Sequence, residues 1–326
     1  MGADDDAIRR AAALLAQGGL VAFPTETVYG LGADAANASA VARIFEAKRR
    51  PADHPVIVHV TGIDQAAQWA SSVPAGARAL AARFWPGPLT MILPRATHVL
   101  DVVTGGQSSV GLRAPAHPVA RALLQAFGGG IAAPSANRFG HVSPTTADHV
   151  LDDLEDSVDL ILDGGPCDIG IESTIVAFTS DPPLLLRPGG ISFDALAEAL
   201  GQAPVAADAT APRASGTLPS HYATHTPAQL VAHDGLRAEI SQLEDRDERV
   251  AVLALNAAPP PGFEGVWISA PREPTAYAQL LYANLRTLDR ADADAILIEH
   301  VPDDPPWTAI RDRLARATAG VDDDRD

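Results

Sequence analysis

Lys48 is the only lysine among 326 residues; every other basic residue is an arginine. It lies in Ala47-Lys48-Arg49-Arg50-Pro51. An ammonium meets a phosphate as a compact point charge, whereas guanidinium is a broad planar fork, so the two exchange poorly where an anion is tightly held. A chain that uses arginine elsewhere and lysine here marks the position as a candidate phosphate contact. An exposed helix end tolerates either cation, so Lys48 alone leaves a surface role open.

Other segments carry polar groups beyond what a turn requires. Phe23-Pro24-Thr25-Glu26-Thr27-Val28-Tyr29-Gly30-Leu31-Gly32 follows an apolar run with two hydroxyls, a carboxylate, a phenol and two glycines. Glycine lets backbone approach a ligand closely, and the hydroxyls can donate and accept. From Lys48 to His59 the chain turns through Pro51-Ala52-Asp53-His54-Pro55, so Lys48 and Arg50 stand at a frayed helix end where both could face one polyphosphate. Favourable interaction of cations with the helix C-terminus explains the location equally well, though not the choice of lysine. Ser108-Ser109-Val110-Gly111-Leu112-Arg113 ends a strand in an arginine, and Ala132-Ala133-Pro134-Ser135-Ala136-Asn137 runs a strand into a small-residue turn. Gly170-Ile171-Glu172-Ser173-Thr174 and Leu186-Arg187-Pro188-Gly189-Gly190 add hydroxyls and another arginine. Each is, taken singly, more often a structural hydrogen-bonding element; their joint occurrence points to a strand-end ligand site.

Several chemistries are absent from the text. There is no G-x-x-x-x-G-K-[ST] loop, no kinase glycine loop with a strand lysine and no G-x-S-x-G elbow. His221 and His225 are four apart without other clustered Cys or His, which favours linker histidines over a metal site. One cysteine, Cys167, forms no internal disulfide and fits a reducing compartment. The acidic start and the lack of an apolar run of about 20 residues lead us to expect a cytoplasmic protein that does not enter a membrane. The net charge of −17 argues against tight direct binding of nucleic acid, because such affinity comes mainly from neutralised phosphates.

The elements that must position these residues alternate between helix and strand. Helices are expected at Ser39 to Ala47, Ile63 to Ala70, Pro74 to Phe84, Pro118 to Phe127 and Thr146 to Leu154, with strands at Leu20 to Phe23, Val56 to Val60, Leu89 to Leu93, Val110 to Arg113, Ile131 to Ala133, Leu160 to Asp163, Thr174 to Phe178 and Leu184 to Arg187. The fold class is α/β: a first domain over 1–205 with a mixed sheet, a linker at 206–227 rich in Ala, Pro, Ser and Thr, and a smaller Rossmann-like domain over 228–326.

In this order, the Pro24–Gly32, Lys48–Pro51, Val110–Arg113, Pro134–Asn137, Glu172–Thr174 and Leu186–Gly189 segments resemble the YrdC-like (TsaC-related) threonylcarbamoyl-AMP synthases, in their long form with a linker and a C-terminal domain. The resemblance implies a YrdC-like twisted mixed-sheet catalytic domain and an enzyme, a nucleotidyltransferase, that joins L-threonine, bicarbonate and ATP into threonylcarbamoyl-AMP and pyrophosphate. That product feeds a downstream tRNA threonylcarbamoyl transferase machinery. Lys48 and Arg50 would hold the triphosphate and stabilise the leaving pyrophosphate. Arg50, His54, Ser109, Ala133, Ser135, Asn137 and Arg187 match nucleotide-side positions, with His221 and Tyr222 of the linker lying across the mouth as a lid. Thr27, Tyr29, His59, Arg113 and Ser173 match the threonine pocket, Arg113 pairing with the carboxylate. Mg²⁺ would ride in on ATP, without a protein metal site. The linker departs from the family text, reading Ala214-Ser215-Gly216-Thr217 and His221-Tyr222-Ala223-Thr224 where prolines and a methionine are usual. A non-catalytic RNA-binding YrdC-like module is the alternative, opposed by the acidic charge; a carbamoyl-transfer relative with zinc fingers would need cysteines and length this chain lacks.

Overall fold

The computed structural model describes residues 2–320 except 209 and 219. It divides into two compact units: residues up to Phe139 with Ser143–Thr217, and Gly140–Val142 with Leu218 onward. The segment 206–227, expected as a separate linker, is thus shared between units, changing allegiance after Thr217. Three residues from within the first domain, Gly140–Val142, cluster with the second, which periodicity could not reveal.

The first unit is built on ten strands: β1 Val21–Phe23, β2 Gly30–Asp34, β3 Ile57–His59, β4 Leu89–Pro94, β5 Ser109–Arg113, β6 Ile131–Ala132, β7 Leu160–Ile161, β8 Thr174–Ala177, β9 Leu184–Arg187 and β10 Val205–Ala206. They form one mixed sheet in the order β10-β9-β8-β4-β5-β3-β6-β2-β1-β7. β3 and β5 run parallel, as do β4 and β8, while β3–β6, β4–β5 and β8–β9 are antiparallel. β2 lies inside the stretch read from sequence as loop; its Gly30-Leu31-Gly32 start hides the strand, since glycine lacks strand propensity. Gly32 is required by closeness: a Cβ there would sit 2.8 Å from both Ile131 and Phe23 side chains.

Helices begin where the sequence supplies caps. Asn37 accepts N–H bonds from Ser39 and Ala40 to start Ala38–Lys48, and Asp4 accepts from Ala7 to start Asp5–Ala16. The short helices Asp101–Thr104 and Phe193–Leu200 lie outside the periodic reading; the first, at four residues, is shorter than any periodic window. Leu20, Ile44, Val58, Leu80, Met91, Leu112 and Val176 are among the fully buried core members that fix these layers, each contributing about 1.5–3 kcal/mol.

The second unit holds four parallel strands, β11 Ala228–Val231, β12 Val250–Ala254, β13 Val266–Ser269 and β14 Ala295–Glu299, in the order β11-β14-β12-β13. Helices Leu236–Glu244, Pro274–Asp289 and Thr308–Ala317 connect or follow them, close to the expected Rossmann-like pattern. Among the described residues no helix is long and apolar enough to cross a membrane.

Candidate active site

Six neighbouring strands, β6-β3-β5-β4-β8-β9, carry or adjoin six of the residues singled out from sequence. Ala133 follows β6, His59 ends β3, Ser109 and Arg113 bound β5, Ser173 precedes β8 and Arg187 ends β9; Thr90, which the sequence does not single out, lies in β4. Pairing sets His59 directly opposite Arg113 and Ile57 opposite Gly111. Distant sequence is thereby gathered along one run of strands.

Arg113 is 4% exposed and almost fully engaged. Its Nη2 donates to Glu26 Oε1 at 2.7 Å, Nη1 to Thr27 Oγ1 at 2.8 Å and Nε to the Gly87 carbonyl at 3.4 Å. A guanidinium has five N–H donors, so one on each Nη remains for a ligand carboxylate. The second Glu26 oxygen accepts from Ala116 N–H, and the Thr25 and Thr27 hydroxyls lie 2.9 Å apart. Burial raises the Glu26 pKa, but the Arg113 charge and hydrogen bond with the backbone donors outweigh it, and the net direction is down. Glu26 is ionised and aims Arg113; sequence reading placed it in the motif without a role. Beside them His59 is held neutral, its pKa pushed down to about 3 by burial and by Arg113. Burial also pushes the Cys167 thiol up, which disqualifies it as a nucleophile.

The local fold explains the Lys48-Arg49-Arg50 sequence. Lys48 is the last residue of its helix, Arg49 takes the left-handed cap at φ 51°, and Arg50 N–H returns to the Phe45 carbonyl. This turn throws Arg49 outward while Lys48 and Arg50 stay buried. Lys48 Nζ donates to the carbonyl of Ser135 at 2.6 Å and to that of Asn137. Burial, then Arg50, pushes its pKa well below the ordinary lysine value. Lys48 therefore clasps the Ser135–Asn137 turn, a tie reinforced by Phe139 N–H to the Lys48 carbonyl at 2.9 Å. Arg50 donates to the Pro55 carbonyl at 3.0 Å and stands 5.2 Å from the Phe139 ring, which also meets His54 edge-on. Burial and Arg50 lower the His54 pKa.

Arg187, 2% exposed, donates from Nε and Nη2 to the Ser173 carbonyl and from Nη2 to its hydroxyl, while Nη1 reaches the Ser215 carbonyl at 2.7 Å. Ser173 Oγ lies 2.8 Å from Thr90 Oγ1, and Ser215 Oγ donates to the Pro55 carbonyl at 3.0 Å. Gly189 permits this closeness, since a Cβ there would lie 2.3 Å from the Thr174 nitrogen. A narrow cavity of about 20 Å³ is lined by Pro55, Ile57, Thr90, Ser109, Gly111 and Ser215. Arg50 and Arg187 are each one hydrogen bond from its wall, through Pro55 and Ser215.

Three placements show partners that local spacing does not reveal. The Tyr29 phenol turns to the Asp163–Gly165 segment, donating to the Gly165 carbonyl at 2.7 Å. Lys48 Nζ reaches the carbonyls of Ser135 and Asn137. His221 and Tyr222, expected as a lid, belong to the second unit: His221 N–H donates to the Arg316 carbonyl, and Tyr222, at φ 63°, packs against Tyr282 and under Arg313. Thr90, Ser215 and Phe139 were not legible as site residues; only Ser215, inside the unusual linker text, carried a local signal.

A two-domain α/β protein with buried cations and hydroxyls at the ends of adjacent strands is the class this geometry defines. Residues 13–189 match the family model Sua5–YciO–YrdC, described as telomere recombination, and residues 191–319 match the model for the threonylcarbamoyl-AMP synthase C-terminal domain. The chain is 40% identical to the threonylcarbamoyl-AMP synthase of Pyrococcus abyssi over 95% of this chain and 94% of that protein, and 40% identical to that of Bacillus subtilis over 97% and 94%. The crystal structure of Pyrococcus abyssi Sua5 complexed with L-threonine superposes with a TM-score of 0.89 at 38% identity, over 95% of this chain and 94% of that one. The chain belongs to the threonylcarbamoyl-AMP synthase family, in its long two-domain form.

Proposed function

We propose that this protein is an L-threonylcarbamoyladenylate synthase, a nucleotidyltransferase that condenses L-threonine, bicarbonate and ATP into threonylcarbamoyl-AMP and pyrophosphate. The observation that carries the reading is Arg113, fixed by Glu26 and Thr27 with two N–H groups left over, beside a neutral His59. Such a fork suits an amino-acid carboxylate, and an uncharged imidazole can bond the ligand's polar groups without repelling its ammonium. Support comes from the relatives' names and from the threonine complex of a 38%-identical structure.

In the reaction the threonine nitrogen adds to bicarbonate with loss of water, giving a carbamate. A carbamate oxygen then attacks the α-phosphorus of ATP, and pyrophosphate leaves. The protein's work is alignment and compensation of charge. Arg50 and the Lys48-clasped Ser135–Asn137 turn would flank the phosphates, with Ser109, Ala133, Arg187 and the small cavity on the nucleotide side. Mg²⁺ would enter as part of the ATP substrate, held by its phosphates. We place the activity in the cytoplasm, with the product passed to a tRNA threonylcarbamoyl transferase. The decisive experiment measures pyrophosphate release with substrates omitted in turn, alongside mass spectrometry for threonylcarbamoyl-AMP. Release that needs threonine and bicarbonate together is expected; release indifferent to either would sink the reading.

A further inference from the structure

The carboxyl ends of β11, β14 and β12 form the edge where a parallel α/β sheet ordinarily receives an anionic ligand. Here the place is taken. Glu299, the last residue of β14 and 1% exposed, directs Oε2 at three consecutive backbone N–H groups, those of Leu255 at 2.7 Å, Asn256 at 2.9 Å and Ala257 at 3.0 Å. Its Oε1 lies 2.7 Å from Nδ1 of His233, just beyond β11. Three successive N–H groups on one oxygen, with an imidazole on the other, are the ligation that a bound phosphate or carboxylate receives from a backbone nest.

We propose that Glu299 is a built-in ligand: it fills the anion-receiving nest of the second unit and closes that unit's strand-end edge to nucleotide phosphates. The nest residues 255–257 and the carboxylate are brought together by the β12–β14 pairing, in which Leu253 lies opposite Ile298. A covalently attached carboxylate holds its place at an effective concentration no dilute external phosphate matches. Its negative charge also opposes a second anion; Tyr277, whose buried phenol has no hydrogen-bond partner among the described residues, is raised in pKa by burial and by Glu299. Burial raises the Glu299 pKa too, but the nest donors and His233 carry it below the ordinary range, so the group is charged where the enzyme works. The fold's customary phosphate position is thus spent on internal architecture.

The test uses the full-length chain and formate, the smallest carboxylate. Glu299→Ala should lower Tm by on the order of 5–10 °C, because three buried N–H groups lose their acceptor. Formate, at fixed ionic strength, should restore at least about half of that loss by refilling the nest. Wild type and Glu299→Gln, whose side-chain oxygen can still take the three donors, should gain no comparable stability. Equal formate effects on all three proteins, or no restoration in Glu299→Ala, would overturn the proposal. Should Glu299→Ala not fold, the wild type decides: its amide resonances for 255–257 should stay fixed on titration with inorganic phosphate, and saturable shifts there would refute the built-in ligand.

Discussion

The two units solve the same problem in opposite directions. In the first, strand ends bring Arg113 and Arg187, and a helix end brings Arg50, among hydroxyls and carbonyls, and Arg113 keeps donors in reserve for a ligand. In the second, the strand-end donors converge on Glu299, leaving the nest saturated by its own chain. The second sheet has the topology more often associated with nucleotide binding, yet the first has the chemistry. Topology offers a place for a ligand; the side chains decide whether the place is open.

The contrast breaks first at Arg113. Arg113→Lys keeps the charge but removes the fork that meets Glu26, Thr27 and a carboxylate together, and kcat/KM for threonine should fall about 100-fold, mainly through KM. A loss under about threefold would mean that the reserve donors are not the threonine contact. Lys48→Arg comes next, because a guanidinium does not fit a fully buried seat between two carbonyls; turnover should drop at least about tenfold, ~1.4 kcal/mol. Unchanged kinetics would remove the special status of the ammonium.

His59 sharpens the comparison through pH. Its folded pKa of about 3 lies below the ordinary 6.5, so between these values the unfolded chain binds a proton that the folded chain refuses. The neutral-histidine contribution is therefore complete above pH 6.5 and shrinks as pH falls toward 3, by up to about 1.4 kcal/mol per pH unit. Denaturant midpoints from pH 7 to 4 should fall less steeply for His59→Gln than for wild type; parallel slopes would contradict a neutral imidazole. The smallest effect is expected in the second unit, where Glu299→Gln should leave kcat/KM for threonine within about twofold of wild type, ~0.4 kcal/mol.

Much of this was legible in the text. The helices at Pro118–Phe127 and Ala147–Leu154 and the strands at Thr174–Ala177 and Leu184–Arg187 follow from apolar periodicity and end signals, because those are local. The six ligand-site segments were visible as unusual concentrations of hydroxyls and cations at strand ends. What sequence could not supply was partnership across distance. Lys48 meets carbonyls 87 and 89 residues away, and Arg113 meets Glu26 across 87. Nothing in local spacing says that a lysine will clasp a distant turn, or that the Tyr29 phenol will meet the Gly165 carbonyl. The β2 strand was hidden for the opposite reason: its glycines announce a turn, but they are there because Ile131 and Phe23 press against the backbone.

Arg187 carries a consequence for affinity. Its Nη1 already rests on the Ser215 carbonyl, so a nucleotide that claims that N–H exchanges one acceptor for another and gains only the difference. Binding measured on the whole chain then reports the ligand's advantage over the chain's own peptide group, a discount that the apparent Kd carries without any change in the nucleotide's intrinsic fit.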